Sequence, residues 1–295
     1  FDYVAPKPGF PCLPILGLIA LIVVIIIVII LLIPAPQTTT PAPTGPPSTC
    51  RIWGDPHIET FDHAFVNNFA EGEFWIVKSK MVFIQGRYLA TPYTNGLSAT
   101  HAIAIGGPFL LGHTIVVGPM DNGQILVDGQ PACNGFPSSM DVAGVATLTY
   151  DAQGTVVDAA QAHLDKHIVH IDLPLDTHVE VMRWANHINV RITMTPRVGG
   201  QTGDCGTFDG NPDDDAPGMT VSGNECLFHH MTPVRPSPHH DIEECIKEDA
   251  TKYHTALRTC DATDEDAQNP NNPKYGCVFD VCFAGPQYAA QDAAM

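Results

Sequence analysis

Basic residues are scarce in this 295-residue chain: fourteen Lys and Arg stand against thirty-two Asp and Glu, a formal net charge of −18. So large an acidic excess excludes a nucleic-acid backbone as partner and favours cations or basic surfaces. No Asn-x-Ser/Thr sequence occurs among the twelve asparagines, so nothing here demands passage through a glycosylating pathway. His-Glu-x-x-His, Gly-x-Ser-x-Gly and Cys-x-x-Cys are all absent, which removes the common metalloprotease, serine-hydrolase and zinc-knuckle templates. Fourteen histidines invite a metal-enzyme reading, with His163, His167, His170 and His178 the densest group. Several of them alternate along strand-like runs and point to different faces, so scattered structural or surface roles are expected and no catalytic residue is assigned.

What the chain does contain begins with an apolar N-terminal run. Leu13 to Ile33 carries no charge over twenty-one residues. At helical rise it spans about 32 Å, matching a hydrocarbon core of about 30 Å, so a single transmembrane helix is expected. Pro34 stops it, and Pro14 falls in its first turn. Lys7 is the only basic residue before the run and none follows until Arg51, which puts the short tail, residues 1–12, on the cytoplasmic side or its equivalent. Pro34 to Thr49 is rich in Pro and Thr and reads as an extended stalk reaching up to about 50 Å.

Beyond the stalk the composition changes to short β-branched and aromatic runs. They are Phe74–Lys78, Met81–Tyr88, His101–Ile105, Thr114–Val117, Gln124–Val127, Val145–Tyr150, His167–Leu173, His178–Trp184 and His187–Thr195, separated by Gly, Pro, Asn and Asp. Regular short strands of this kind argue a mainly β fold, an antiparallel β-sandwich. Asp241 to Cys260 has helical composition with an acidic start, so a small helical appendix is expected at the C-terminal end.

The densest chemistry lies in Gly203–Asp215. Thirteen residues hold Asp204, Asp209, Asp213, Asp214 and Asp215 together with Cys205, Gly206 and Gly210. Such like charge is poorly tolerated unless a hard cation neutralises it, and calcium takes six to eight oxygen ligands in flexible geometry. An EF-hand starting at Asp209 would need Gly at its sixth position and Glu at its twelfth, where Asp214 and Thr220 stand. A solvated acidic turn is the alternative.

The run Cys50-Arg51-Ile52-Trp53-Gly54-Asp55-Pro56-His57-Ile58-Glu59-Thr60-Phe61-Asp62 resembles the opening of a von Willebrand factor type D (VWD) domain. The acidic loop resembles that family's late Cys-Gly-x-x-Asp-Gly-Asn-x-x-Asp-Asp signature, and Glu71–Val77 its early Gly-Glu-x-aromatic strand. The likeness covers Cys50 to Cys226, giving a domain at 50–226 and a Cys-containing helical appendix and tail at 227–295. It implies one Ca²⁺ held by Asp62, Asp209, Asp214 and Asp215 with the carbonyl of Asn211. Thr207 stands where many relatives have asparagine, which leaves one ligand open. Some mucin-type relatives cleave themselves at the Asp-Pro bond of Gly-Asp-Pro-His; most domains bearing the motif are not cleaved, and Asp55–Pro56 is expected to stay intact.

The resemblance also implies a disulfide between Cys50 and Cys205, while Phe74 and Thr202 stand near places where the family usually has cysteine. Cys245, Cys260, Cys277 and Cys282 resemble part of the eight-cysteine module that follows such domains in mucin-like proteins, and four cysteines permit three connectivities. Cys133 and Cys226 are left as a pair by elimination. An even set of cysteines places residues 50–295 in an oxidising extracellular or luminal space. The resulting expectation is a single-pass, calcium-binding structural protein acting in adhesion or assembly. The same plan also suits an accessory subunit of a larger membrane complex.

Overall fold

The computed structural model describes residues 45–91, 96–151, 167–236, 241–286 and 289. The apolar run Leu13–Ile33, Cys12 and most of the stalk lie outside the described residues, as does His163. Among the described residues no helix is long and apolar enough to cross a membrane.

Among the described residues fifteen strands form two antiparallel sheets. In chain order they are β1 (Ser48–Trp53), β2 (His57–Glu59), β3 (Phe65–Asn67), β4 (Gly72–Ser79), β5 (Phe83–Ala90), β6 (Ser98–Gly106), β7 (Ile115–Val117), β8 (Ile125–Val127), β9 (Gln130–Pro131), β10 (Ser138–Val142), β11 (Ala146–Asp151), β12 (His167–Leu173), β13 (Thr177–Arg183), β14 (Ile188–Met194) and β15 (Gln201–Thr202). The larger sheet runs β10-β11-β12-β13-β14-β1-β2-β3 and the smaller β15-β4-β5-β6-β7-β8-β9. Each of the nine expected runs contains or overlaps one of these strands, which makes the β-sandwich an observed feature. Strand β1 starts at Ser48, so the last two residues assigned to the stalk belong to the sheet instead. There Thr49 pairs with Thr193, and their hydroxyls bond at 2.8 Å.

The core forms because alternate residues of both sheets point inward. Ile52 from β1, Ile84 from β5, Ile103 and Ile105 from β6, Val169 and Ile171 from β12, and Val190 and Ile192 from β14 are all fully buried. The intervening residues of β12 and β13 face out, where His170 lies across from Glu180 and Asp172 from His178. His170 and His178 therefore share one face, with ring centroids 5.8 Å apart, and each meets a carboxylate, Glu180 at 3.8 Å and Asp172 at 2.8 Å. They form a cross-strand ladder of the kind that stabilises a solvated sheet face.

Residues 219–235 pair with the edge of β4, and Cys226, Leu227 and Phe228 among them pack on the outer face of the smaller sheet. Trp75 N–H donates to Met219 O at 2.8 Å, Val221 N–H to Glu73 O at 2.9 Å, and Arg235 N–H to Glu71 O at 3.0 Å. The buried Glu73 carboxylate accepts from Arg87 Nε at 2.6 Å and Thr232 N–H at 2.8 Å. This cover carries the β-domain's contacts past residue 226 to Arg235. Among the described residues that follow, four helices are formed: α1 (Ile242–Glu248), α2 (Ala250–Thr259), α3 (Asp264–Gln268) and α4 (Pro273–Phe283). Side chains of Asp241, Asp249, Thr263 and Asn272 cap their N-termini.

Among the described residues three disulfides are formed. Cys50–Cys205 lies within the sandwich, and Cys245–Cys282 and Cys260–Cys277 lie within the helical module. Cys133 and Cys226 are not a pair: both are free thiols. The alternation of β6 explains why. Cys133 packs on the inter-sheet core that contains Ile103 and Ile105, whereas Cys226 packs with Ala102 and Ala104 on the opposite face of that strand. A layer of sheet separates them.

Candidate functional site

The acidic loop is assembled from behind by buried groups. Asp204, 1 % exposed, accepts hydrogen bonds from Tyr88 Oη at 2.9 Å, Asn68 Nδ2 at 3.0 Å and Gly218 N–H at 2.8 Å. Because Gly218 lies fourteen residues on, this one carboxyl ties the two ends of the loop together. Burial pushes the Asp204 carboxyl up from its ordinary range, against its three donors; burial likewise holds the Tyr88 hydroxyl well above its usual value, with Asp204 adding to the effect. Cys205 then fixes the loop to β1 through its disulfide, and its carbonyl accepts from Phe61 N–H at 3.1 Å. Phe61 and Phe208 stack with centroids 4.6 Å apart, setting Asp62 against the loop.

Asp62 bridges the two motifs: its carboxylate accepts from the backbone N–H groups of Asp209 and Gly210, each at 3.0 Å. Within the loop, Asp209 Oδ1 accepts from Asn211 N–H at 3.0 Å, and Asn211 Oδ1 from Asp213 N–H at 3.3 Å, which caps a short 3-10 turn at Pro212–Asp214. Thr207 joins the other side, its hydroxyl donating to Asp214 Oδ1 at 3.3 Å and its N–H to Asp215 Oδ1 at 2.8 Å. Asp62, Thr207, Asp209, Asn211, Asp214 and Asp215 are thus brought into one network, although Asp62 lies about 150 residues earlier in sequence.

Asp215 is the floor of this network. It is 9 % exposed, and its Oδ2 has no hydrogen-bond partner. Burial raises its carboxyl above the ordinary range, and the nearby charges of Asp62 and Asp214 push the same way, while the Thr60 hydroxyl and Thr207 N–H oppose. Gly206 makes the approach possible. At φ +86°, a Cβ on it would lie 2.2 Å from Asp215 Oδ1, so only glycine fits this turn. An orphaned, buried carboxylate oxygen beside two further carboxylates has the donor chemistry a hard cation takes, so the residues fit Ca²⁺. Among the described residues no three His, Cys, Asp or Glu side chains already form a ready-made metal cage. Asp209, Asp213 and Asp214 stay exposed.

A two-layer antiparallel sandwich, closed by a disulfide between its first strand and an acidic loop, defines a small extracellular-type β-module. The family model for the von Willebrand factor type D domain matches residues 50–218, more than half of the chain, and the chain belongs to that family. No curated protein gives a significant match. The family is a structural and adhesion one, which together with the disulfides indicates an extracellular or luminal role in adhesion or assembly.

Three contributors carry no obvious mark of their role in the sequence. Asp204 sits among the loop carboxylates but points inward, and Tyr88 and Asn68 hold it from outside both motifs. The neighbouring Gly203 and Gly206 are the available signal, since both adopt positive φ, 128° and 86°.

Proposed function

We propose that this protein binds calcium through Asp62, Asp209, Asp214 and Asp215, with the Asn211 carbonyl and the Thr207 hydroxyl beside them, and acts as a structural VWD module in adhesion or assembly. The observation that carries the reading is Asp215 Oδ2, buried without a donor and faced by the charges of Asp62 and Asp214. A bound dication supplies positive charge that offsets this repulsion and fixes the loop; the protein's part is to hold the oxygens on a turn already tied to β1 and closed by Asp204. Anchoring by Leu13–Ile33 completes the proposal, supported by the length and lack of charge of that run.

Extracellular calcium modules bind at about 10⁻⁴–10⁻³ M, so about 2 mM calcium stabilises the fold by about 0.6–2 kcal/mol. Thermal melts with calcium and with chelator test this. The expected result is a higher midpoint with calcium, and loss of that difference in Asp209→Ala. Superimposable curves for the unaltered protein would sink the reading.

A further inference from the structure

Helix α4 is buried all along Gly276–Phe283, and it packs on Gly54 in the turn between β1 and β2 and on His57 at the start of β2. Phe279 stacks on Phe69 at 4.7 Å and meets the edge of the His57 ring at 6.0 Å. Gly276 lies beneath that ring, where a Cβ would be 3.0 Å from His57 Cγ. Inside this apolar contact sits one acidic side chain, Asp280, 1 % exposed. Its Oδ1 lies 3.0 Å from His57 Nε2, and its Oδ2 lies against Gly54, where a Cβ would stand 2.5 Å away. Asp55, itself 2 % exposed, hydrogen-bonds to the same carboxyl. The other ring nitrogen, His57 Nδ1, is 2.6 Å from Asn67 Oδ1.

Two carboxyls can hydrogen-bond to each other only when one carries a proton. Among the described residues no N–H or neutral O–H donor reaches Asp280 Oδ2, so the acid proton shared with Asp55 is what satisfies that edge. Among the described residues Asp280 pairs with no Lys or Arg, and His57 is its single ion-pair partner. The remaining neighbours, Trp53, Phe69 and Phe279, are aromatic; of the further titratable groups on this helix, Tyr275 stacks on Phe279 and Lys274 turns to Asp261 and Asp266. Whatever the charge on the imidazole, removal of the shared proton leaves one more negative charge in a contact whose three side chains are all buried. None of the three disulfides joins the helical module to the sandwich, so the docking is non-covalent and responds to that charge.

We propose that Asp280, Asp55 and His57 form a proton-held latch that docks the helical module on the sandwich in acid and loosens as pH rises. Burial holds the Asp280 carboxyl well above its ordinary value of 3.8. A carboxyl raised in the docked state binds more protons there than when released, so docking is strongest below that ordinary value. It then weakens as pH climbs toward the raised one.

Hydrogen exchange on the full chain between about pH 4.5 and 7.5 tests the latch, read as protection of Gly276–Phe283 relative to β12 and β13, which cancels the intrinsic pH dependence. One linked proton gives a relative opening that rises by up to about tenfold per pH unit within the window. In Asp280→Asn the amide keeps both contacts without a titrating proton, so the ratio becomes flat. In Asp55→Asn the amide donates to ionised Asp280, and the slope moves to lower pH. A flat ratio in the unaltered protein overturns the latch, as does either folded variant that keeps the original slope. If neither variant folds, the slope of the unaltered protein decides alone.

Discussion

Replacing both Cys50 and Cys205 with alanine removes the covalent tie between the first strand of the sandwich and the acidic loop. The bond closes a loop of 155 residues. In the chain-entropy account a loop of that length restricts the unfolded chain by about 5 kcal/mol at 25 °C. Both cysteines are fully buried, so the two deleted sulfur atoms add about 1 kcal/mol apiece if they behave like deleted buried methyl groups. Against a total stability of about 5–15 kcal/mol, the expected loss is a large share of the whole. Urea unfolding followed by intrinsic fluorescence is the assay, and the signature has two parts. The midpoint falls, and the slope m rises because the unfolded chain, no longer cross-linked, exposes more surface. Calcium dependence of the melt should weaken as well, because Cys205 begins the loop and its carbonyl receives Phe61 N–H, the neighbour of Asp62. A loss below about 2 kcal/mol with an unchanged m would refute the reasoning, showing that the pairing of β1 with β14 and β2 at one end and the Asp204 bonds at the other already secure both.

Gly206→Ala forces a Cβ to within 2.2 Å of Asp215 Oδ1 at a φ of +86°; the expected cost is about 2–4 kcal/mol from backbone strain and displacement of Asp215, with loss of the calcium effect on the melt. An unaltered melting midpoint would show that the turn relaxes freely. The Asp55–Pro56 bond is expected to stay whole at neutral pH, since the Asp55 carboxyl is buried and engaged with Asp280. Because Cys50–Cys205 would hold cleaved pieces together, a reducing gel is the check, and a fragment starting at Pro56 contradicts the expectation.

Most of the sandwich is legible in sequence because its strands are half-buried: alternating Val, Ile and aromatic residues mark both the run and its inner face, as in His167–Leu173, whose bounds match β12. Strand β10 is invisible by the same test. Ser138-Ser139-Met140-Asp141-Val142 has little β-branched character and buries only Val142 fully, so its extended form comes from its ladder with β11 rather than from its own residues. The acidic loop is legible because its residues are contiguous and their chemistry is uniform. Cys133 and Cys226 show the opposite case: parity of number suggests a bond, and only the facing of β6 reveals that they lie on two sides of one sheet.

The docking of α4 lies further beyond sequence reasoning, and the reason is distance along the chain. His57 and Asp280 are 223 residues apart, and no local pattern pairs them. One signal was nevertheless present. In Gly276-Cys277-Val278-Phe279-Asp280-Val281-Cys282-Phe283 a single charged residue interrupts an otherwise uncharged helical run. A helix buried on every side tolerates an acid only where that acid finds a proton or a donor, because an isolated buried carboxylate is too costly to keep. The run therefore demands a partner without naming it. The fold supplies Asp55 and His57, both from the Gly-Asp-Pro-His turn that opens the domain. The best-marked motif in the chain is thereby also the dock for its least-marked helix, which makes the protonation of one buried pair the natural control over whether the two modules move as one.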